Sequence, residues 1–535
     1  MLLTILLAQR GNCGAKIMCR FHHKMIPSCK FGSVVTFSRS MRIVLSYPLL
    51  ILFAMMCIAH VHAQESAMGY GNYRSGTLGT SLFPLQPAVD RGDSLPIREI
   101  FQALPLANVN AGFGQRPVSV SWLGGELDWN PSRRWSFQAG YVLAGGFLPS
   151  YLERRADSEG FLSGIGYAVA DTMSHLYHSH YTFGSAKYNA GKHVKVELGK
   201  AKHFWGDGYR SLILSDHASP APYFKLTTTL GKFRYMNLWM QLRDVSAGQM
   251  LSNARVKYSA MHAFSYQITP KLNASLYEWV VWQNRDTLSN RGLDLYYLNP
   301  LVFYRPVEYS LGSPDNVMLA ASLRWSVSRS LQLYGQFVLD EFNVKLFKRS
   351  NNWWGNKIAG QVGLRWNMPG KGLEVLAEMN VARPFIYSHG SSIQAWTHIN
   401  QSMGHPLGSN FAEACLRLRY VKGLWTISEQ LNASAAGRDY DVNRDGVIDN
   451  FGGNITRSYA NPYGGNFGHE LLQGEMHRTV FHGFTMSRAL SESSRWEVYV
   501  RHNLRTEKVG PQMTTENWLM LGIQTRGMLQ PVQDY

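Results

Sequence analysis

A cluster of aromatic and charged residues between positions 205 and 210 could bind a carbohydrate. Trp205 and Tyr209 offer flat rings of the kind that stack on sugars, and two glycines between them allow a tight turn. Asp207 and Arg210 can form charge-assisted hydrogen bonds with the hydroxyl or carboxylate groups of a ligand. The same two rings are also typical of the aromatic girdle that borders a membrane-spanning barrel. The stretch is therefore a candidate ligand-binding loop with a structural alternative.

A second polar stretch, YLNPLVFYRPVEYSLGSPDN, offers amide, guanidinium and carboxylate groups to a similar ligand. Such groups bind saccharide hydroxyls through hydrogen bonds, and they can equally form a polar network that pins a loop inside a larger structure. The sequence alone does not separate these two interpretations. The candidate binding residues of this stretch are Asn299, Arg305, Glu308, Asp315 and Asn316.

The stretch DVNRDGVIDN matches the first half of a calcium-binding loop. Asp441, Asn443 and Asp445 occupy its first, third and fifth positions, and Asp449 occupies the ninth. The match ends at the twelfth position, where Gly452 replaces the bidentate glutamate. We expect either a weak calcium site or a polar loop here, and no other cofactor.

The sequence contains none of the common catalytic motifs. A nucleophile elbow, a zincin helix and a phosphate-binding loop are all missing, and no spacing of Ser, His and Asp singles out a triad. His175, His178 and His180 lie close together, but a metal site needs a further ligand, so a solvated cluster is the simpler interpretation. We therefore predict a protein without enzymatic activity.

The N-terminal part of the sequence has the features of an export signal. Residues 41–63 combine a basic start, an apolar run and a small-residue end, which predicts a signal peptide; residues 1–40 are then a misassigned upstream extension. Only Cys415 follows the cleavage point, so no internal disulfide is expected. Residues 1–63 carry 7 basic residues and no acidic one, so the net charge of +17 falls to +10 in the mature chain. This charge suits anionic lipid headgroups or acidic polysaccharide, and no basic run is dense enough for a nucleic-acid groove.

Alternating polar and apolar residues form a series of hairpins after residue 120. LTTTLGKFRYMNLWMQL, for instance, reverses at Gly231-Lys232, and the other hairpins have similar turn residues. ENWLMLGIQTRG adds a last strand and RPVSVSW supplies the first one, which gives about 18 antiparallel strands. The long connections between the hairpins are 145–180, 201–223, 284–315, 343–356, 383–410 and 435–477.

Short turns that alternate with long connections are typical of an outer-membrane β-barrel, whose short turns face the periplasm and whose long loops face outside. We assign residues 116–535 to this all-β transmembrane barrel and predict the cell outer membrane as its location. Residues 64–115 are predicted to form an N-terminal periplasmic segment, in which SLPIREIFQALPL starts a short helix. A soluble multi-sheet protein is the alternative fold.

Four blocks that follow one another along the chain resemble the capsule-assembly Wzi family. They are GKAKHFWGDGYRSLILSDHASPAPYFKLTT, YLNPLVFYRPVEYSLGSPDNVML, LYGQFVLDEF and INQSMGHPLGSNFAEA. The resemblance is to the Bacteroidetes branch, which includes the gliding-motility protein RemB. It implies a barrel of about 18 strands with a small helical element on the periplasmic side. The resemblance also implies a lectin role, because the capsule-assembly members hold exported polysaccharide at the cell surface, whereas the gliding branch is tied to surface motility.

These features together predict an outer-membrane barrel that binds or anchors surface polysaccharide, capsular or exopolysaccharide, and supports capsule assembly. The expected partners are surface polysaccharide, outer-membrane lipid, and motility or capsule-export proteins, but not nucleic acid. The alternatives are a gliding-motility accessory protein and a porin-like channel. Because the 205–210 stretch follows the outward end of the strand VKVELGK, we place it at the extracellular rim or inside the lumen.

Overall fold

The computed structural model of the chain describes residues 100–162, 166–171, 176–245, 253–285, 291–300, 315–341 and 352–526, together with residue 534. All of these residues belong to one compact unit. The predicted signal peptide (41–63) and the upstream extension (1–40) lie outside the described residues, and both stay predictions.

Eighteen antiparallel strands within the described residues form one closed barrel. Each strand pairs with the next one along the chain, and the last pairs with the first from Asn108↔Gln524 to Phe113↔Leu519, which closes the ring. The closed ring confirms the predicted fold class and strand number. The strands are β1 (Ile100–Phe113), β2 (Ser121–Asn130), β3 (Trp135–Gly146), β4 (Leu176–Ala190), β5 (Val194–Ala201), β6 (Ala221–Leu230), β7 (Phe233–Asp244), β8 (Arg255–Thr269), β9 (Leu272–Gln283), β10 (Asn316–Ser326), β11 (Leu331–Glu341), β12 (Lys357–Met368), β13 (Leu373–Ala382), β14 (Phe411–Lys422), β15 (Trp425–Arg438), β16 (Glu475–Ala489), β17 (Trp496–Val509) and β18 (Gln512–Thr525).

The connections at the two ends of the barrel differ in length, as the sequence predicts. One end carries turns such as 231–232 between β6 and β7, and 423–424 between β14 and β15. The other end carries the long connections, among them 202–220 and 439–474. The connection 510–511 between β17 and β18 also lies at this end, yet it has only two residues. By the usual orientation of such barrels, the long loops face the outside of the cell.

The start of the barrel differs from the prediction. Residues Ile100–Phe113 form β1, so the barrel begins before residue 116 and not at it. The predicted helix over residues 94–106 is wrong from residue 100 onward, and its first six residues lie outside the described part. The predicted first strand, 116–122, instead holds the short strand Pro117–Val118 and the first two residues of β2.

The composition of β1 makes its alternation of polar and apolar residues weak. Its outward positions include several alanines, so the difference in polarity between outward and inward positions is small. It also contains Pro105, a residue that is confined to edge positions in sheets. Pro105 pairs with Gly125 of β2, whereas pairing with β18 begins only at Asn108, so the proline lies where one edge of β1 is outside that ladder.

The outward and inward faces of the barrel have opposite chemistry. Outward side chains such as Leu198, Leu276 and Leu521 are apolar and exposed, whereas inward positions of the same or neighbouring strands hold Glu197 and Lys225. A closed barrel with an apolar outer surface leaves no backbone edge unpaired in a bilayer, and bacterial outer membranes house such barrels. The protein is therefore an integral barrel of the outer membrane.

Few helices accompany the strands. In the part of the chain that the structure describes, none of them has the length and apolarity needed to cross a membrane. Helix α1 (Ser150–Glu159) lies in the loop after β3, is capped by Gly160 in the left-handed conformation (φ 77°), and packs Tyr151 and Leu152 into a core cluster. The remaining described elements are α2 (Leu295–Leu298), two 3-10 turns (Pro369–Lys371, Ser392–Gln394) and the short strands Phe161–Leu162, Gly166–Tyr167, Val169–Asp171, Thr397–His398 and Gln401–Ser402.

Two of the long connections fold back into the lumen. We call residues 202–220 the first lumenal loop and residues 383–410 the second lumenal loop. Their apolar side chains pack against each other and against inward-facing strand residues in a single buried cluster. The core of the molecule therefore lies inside the barrel. Members of this cluster are Leu212, Ile213, Leu214, Ile386, Tyr387 and Trp396 from the loops and Leu238, Met261, Trp279 and Val338 from the strands.

Candidate functional site

The first lumenal loop turns back on itself within the barrel. The amide of Trp205 donates to the carbonyl of Leu214 (2.8 Å), and Ser211 Oγ donates to the carbonyl of Trp205 (2.7 Å). Leu212 to Leu214, the apolar part of this loop, are fully buried. Trp205 is only 3% exposed, so its ring offers no face to a ligand in this structure.

Gly208 lies against the barrel wall so closely that only glycine fits there. A Cβ at this position would collide with the Glu378 carboxylate and the Tyr334 ring. Glu378 accepts the backbone N–H groups of Tyr209 (2.9 Å) and Arg210 (3.1 Å) and the hydroxyl of Tyr334 (2.9 Å). The tight turn expected from the glycines therefore serves to seat the loop on β13.

Arg210 joins three distant parts of the chain in a buried ionic network. Its Nε and Nη2 atoms donate to the two carboxylate oxygens of Glu413 (3.2 and 2.9 Å), and its Nη1 lies 3.1 Å from Asp534 Oδ1. Burial opposes the charged guanidinium, but the Asp534 and Glu413 carboxylates outweigh burial and raise the pKa of Arg210 above its ordinary value. The arrangement is a bidentate ion pair in a dry environment, and it locks the loop to β14.

His405 of the second lumenal loop contacts the same carboxylate. Its Nε2 lies 2.7 Å from Glu413 Oε2. Burial lowers the pKa of His405, even though the Glu413 charge acts in the opposite direction. The imidazole is therefore neutral near pH 7, and Arg210 is the cation that balances Glu413.

Asp207 and Tyr209 are held by arginines from three different strands. Arg324 Nη1 donates to Asp207 Oδ1 (3.2 Å), while Arg365 Nη2 donates to the Asp207 carbonyl (2.9 Å). The Arg417 guanidinium lies 4.2 Å from the centre of the Tyr209 ring. The Tyr209 hydroxyl donates to Asp534 Oδ2 (2.5 Å).

The structure thus brings the four predicted residues of the first lumenal loop together, but it gives them protein partners. Their aromatic rings and charges face the barrel wall, the second lumenal loop and the C-terminal Asp534, not the outside. The geometry supports the part of the prediction that places this stretch inside the lumen. It gives the stretch the role of an anchor for the two lumenal loops, residues 202–220 and 383–410, which we together call the plug.

The second lumenal loop completes this plug. Its Trp396 Nε1 donates to the carbonyl of Ile213 (2.9 Å), and the Tyr387 hydroxyl donates to the carbonyl of Leu212 (2.6 Å). The buried Lys257 of β8 donates to the carbonyl of Ala395 (2.8 Å). Hydrogen bonds therefore pair the two loops with each other and fix the second one to the wall.

The second predicted polar set is only partly brought together. Asp315 accepts both Nη1 contacts from Arg291 (2.8 and 2.9 Å), and Asn316 Nδ2 donates to the carbonyl of Gln394 (3.0 Å). These two residues are buried at the rim, as the polar-network interpretation requires. Asn299 is exposed and lies on a different segment. Arg305 and Glu308 lie outside the described residues, so their role stays a prediction.

The calcium-like loop is an exposed turn whose carboxylates bind its own backbone. Asp441 accepts the N–H groups of Asp445 (3.2 Å) and Gly446 (2.7 Å), and Asp449 accepts that of Val442 (3.0 Å). Asn443 is exposed in the same turn. Over the described ranges, no three His, Cys, Asp or Glu side chains group closely enough to hold a metal ion. The calcium site stays a prediction.

A different aromatic group lies at the extracellular end of the barrel. We call Trp353, Trp354 and Tyr459 the mouth aromatic cluster. The rings of Trp354 and Tyr459 are 4.6 Å apart, and those of Trp353 and Trp354 are 5.6 Å apart. Lys357 Nζ lies 4.4 Å from the centre of the Tyr459 ring and is itself fully buried. All three rings are half-buried, so each keeps part of its surface accessible.

The loop 439–474 carries a second aromatic stack beside this cluster. Tyr440 stacks on Phe451 at 5.3 Å, and Phe451 contacts Tyr463 at 4.7 Å. Tyr463 and the nearby Phe467 are exposed. Asn466 Oδ1 accepts from Trp354 Nε1 (3.2 Å) and ties this loop to the mouth aromatic cluster.

The sequence carried a signal for these residues that spacing motifs do not capture. Two consecutive tryptophans follow two asparagines in a long connection, and the stretch RSYANPYGGNFG mixes aromatic residues with Asn and Gly. The long loops of outer-membrane barrels face outside, where an exposed aromatic ring serves in binding more often than in packing. Aromatic residues in long connections are therefore better candidates than aromatic residues beside a strand end.

Comparison with known proteins shows a similarity of fold to solved structures. No protein-family model matches the chain, and no curated protein matches it either. Among solved structures, the chain is similar to Wzi of Escherichia coli, an outer-membrane protein involved in group 1 capsule assembly and described as a carbohydrate-binding β-barrel. The sequence identity is 12%, the similarity covers 79% of this chain and 84% of that chain, and the TM-score is 0.47.

Two further solved structures are similar to nearly the same degree. OccAB2 of Acinetobacter baumannii has 10% identity, with 79% of this chain and 97% of that chain covered and a TM-score of 0.43. OprD of Pseudomonas aeruginosa has 10% identity, with 79% and 94% covered and a TM-score of 0.40. Scores this low do not discriminate between functions, so the function must be argued from the residues themselves.

Proposed function

We propose that this outer-membrane barrel binds surface polysaccharide with its extracellular loops and does so without acting as an open pore. The observation that carries the proposal is the division of its aromatic residues. The lumenal loops bury their rings inside the barrel, whereas the mouth aromatic cluster and Tyr463 keep rings accessible on the extracellular side. Such faces stack on the apolar faces of sugar rings.

The surroundings of the mouth aromatic cluster fit a carbohydrate. Exposed amides lie close to it, since Asn466 contacts Trp354 and Asn461 follows Tyr459 by two residues. Amide groups both donate and accept hydrogen bonds, as sugar hydroxyls do. Residues 1–63 hold 7 of the 17 net positive charges, and the +10 that remains on residues 64–535 favours a polymer that carries carboxylates.

A polysaccharide repeats its binding unit, which compensates for weak single contacts. One exposed ring and a few amides give modest affinity by themselves. Several barrels that hold one polymer chain raise the overall affinity, because each further contact forms at a high effective concentration. Retention of capsule or exopolysaccharide at the surface, and with it capsule assembly, requires no enzymatic step.

A retention assay tests this proposal. Cells that lack the gene are complemented with wild type or with the triple variant Trp353→Ala, Trp354→Ala, Tyr459→Ala, and cell-bound polymer is separated from shed polymer. We expect deletion to release polymer and the triple variant to leave it unretained, although the barrel reaches the outer membrane. The matched control is Trp325→Ala, which removes an exposed outward ring at the periplasmic end of β10. Unchanged retention after deletion contradicts the proposal.

The same strains distinguish the alternative functions. A porin-like channel predicts stepwise conductance of the purified barrel in a planar bilayer, whereas the lumenal loops predict none. A gliding-motility accessory role, which rests on the sequence resemblance, predicts a motility defect with normal polymer retention. A triple variant of Trp205, Asp207 and Tyr209 to alanine should reduce the amount of folded barrel, because these residues anchor the plug.

A further inference from the structure

Residues 291–300 lie on the outside of the barrel wall. We call them the outer strap. The ring of Tyr297 lies 5.0 Å from that of Trp282, and both pack in a cluster with Trp239 and Val317. Trp239 alternates with Leu238 and Met240, which face the lumenal core, so it points outward. The strap therefore covers strands β7 to β10 from the side that faces lipid.

The backbone of the outer strap is hydrogen-bonded by side chains of this wall. Trp282 Nε1 donates to the carbonyl of Gly292 (3.1 Å), and Trp239 Nε1 donates to that of Tyr297 (2.9 Å). The Tyr235 hydroxyl donates to the carbonyl of Pro300 (2.6 Å). Non-helical backbone is tolerated at membrane depth only where protein satisfies its polar groups, and three aromatic donors do so here.

The charged residues of the strap form ion pairs near the rim of the barrel. Arg291 forms ion pairs with Asp294 (2.9 Å) and with Asp315 (2.8 Å). Asp294 also accepts the amide of Tyr296 (3.0 Å) and so caps the N-terminus of α2. Pairing lowers the cost of placing these charges next to hydrocarbon, because an unpaired charge there is strongly destabilising.

A polar row of the wall becomes inaccessible in this region. Asn237, His262 and Glu278 are neighbours across β7, β8 and β9, and their outward side chains are 1%, 6% and 6% exposed. The next position in the row, Leu319 of β10, is apolar and 42% exposed. Polar side chains thus occur in this outward row where the wall is covered, and an apolar one occurs where it is not.

The surface that the strap itself turns outward is apolar. Leu295 is 79% exposed and Tyr296 is 64% exposed, and Leu293 is exposed as well. Below the strap the wall continues with the exposed Leu276. Apolar side chains that continue the lipid-facing surface of a barrel have acyl chains as their natural partner.

We propose that the outer strap is embedded in the hydrocarbon region of the membrane, with Leu293, Leu295 and Tyr296 in contact with lipid acyl chains. The strap replaces lipid over the polar row and presents an apolar surface in its place. This long loop therefore folds down the outside of the barrel and does not extend away from the cell. The proposal is independent of polysaccharide binding, because none of its residues belongs to the mouth aromatic cluster.

Photocrosslinking in intact cells tests the contact with lipid. The photoreactive residue p-benzoylphenylalanine is placed at position 295, and lipid adducts of the full chain are measured by mass spectrometry after irradiation. Position 319, exposed on the same wall, is the reference for lipid contact. Position 447, exposed in the extracellular loop 439–474, is the reference for solvent.

We expect position 295 to give lipid adducts in a yield comparable with position 319, and position 447 to give none. The proposal is overturned if position 295 gives no lipid adducts while position 319 does, or if the main adduct at position 295 is with protein. Absence of lipid adducts at both positions would mean that this wall does not contact lipid, which overturns the proposal as well. Polymer retention is measured in the same strains, so failure here is separable from failure of the proposed function.

Discussion

The first lumenal loop and the mouth aromatic cluster use the same kinds of residue in opposite ways. In the loop, Trp205 is buried and Tyr209 lies under the Arg417 guanidinium. In the cluster, Trp353 and Trp354 keep part of their rings accessible. The comparison teaches that residue type and local spacing identify an aromatic group, whereas its burial decides whether the group stabilises the fold or meets a ligand.

Removal of the cation in the lumen should have the largest effect. Arg210→Ala leaves Glu413 and Asp534 buried without their guanidinium, so we expect a loss of about 3–5 kcal/mol in the free energy of unfolding. The measurement is urea unfolding of the barrel in detergent micelles, with Lys422→Ala at the exposed end of β14 as the control. A loss as small as that of a surface ion pair would mean that the lumenal loop is not anchored by this network.

A cavity in the apolar part of the plug should have the next largest effect. Leu214 is fully buried, so Leu214→Ala should destabilise the barrel by about 3 kcal/mol through lost burial and an unfilled cavity. Val447→Ala, at an exposed site in the extracellular loop, is the matched control and should be nearly neutral. An equal loss of stability for the two substitutions in the same unfolding assay would contradict the claim that the plug is packed and the extracellular loop is not.

Acid should weaken the plug through its buried histidines. Burial lowers the pKa of His398 to about 3, and Nδ1 of this residue accepts the amide of Arg243 (3.0 Å). Because the unfolded state binds a proton below its own pKa near 6.5 while the folded state does not, stability present above that pH is lost as the pH falls. We expect about 2 kcal/mol less stability at pH 5 than at pH 7 from this one group. His398→Gln should flatten the pH dependence of unfolding; an unchanged slope would contradict the assignment.

The smallest effect on stability is expected at the mouth. Trp353 is half-buried and exposed to solvent on one side, so Trp353→Ala should cost about 1 kcal/mol or less. Trp396→Ala in the lumen, by contrast, removes a fully buried ring and should cost about 3–5 kcal/mol. Comparison of the two variants in polymer retention and in unfolding would sharpen the difference between a binding ring and a packing ring.

Most of the barrel could be predicted from the sequence because its signal is local. Alternation of side chains and turn residues within each hairpin identified every strand from β2 to β18 in outline. β1 escaped because Pro105 and its alanines blur the alternation and because its closing partner is β18, at the other end of the chain. Barrel closure is a non-local contact that no local pattern contains.

The arrangement of the candidate site could not be predicted, for the same physical reason. Arg210 and Glu413 are 203 residues apart in sequence, and nothing near either residue indicates the other. Whether a long loop folds into the lumen, over the outer wall or away from the cell depends on such distant partners. The glycines beside Asp207 correctly predicted a close backbone approach, but the group approached is Glu378 and not a ligand.

The contact between Tyr209 and Asp534 has a consequence for the order of events during assembly. These residues are separated by 325 positions, and Arg210 reaches the same carboxylate. The first lumenal loop is synthesised early, yet its anchor is complete only after the last strand of the barrel has been made and the ring has closed. Contacts of such high sequence separation form slowly, because the intervening chain must be ordered first. We therefore expect the contacts of the first lumenal loop with Asp534 to form after the ring of strands has closed, as one of the last steps of folding.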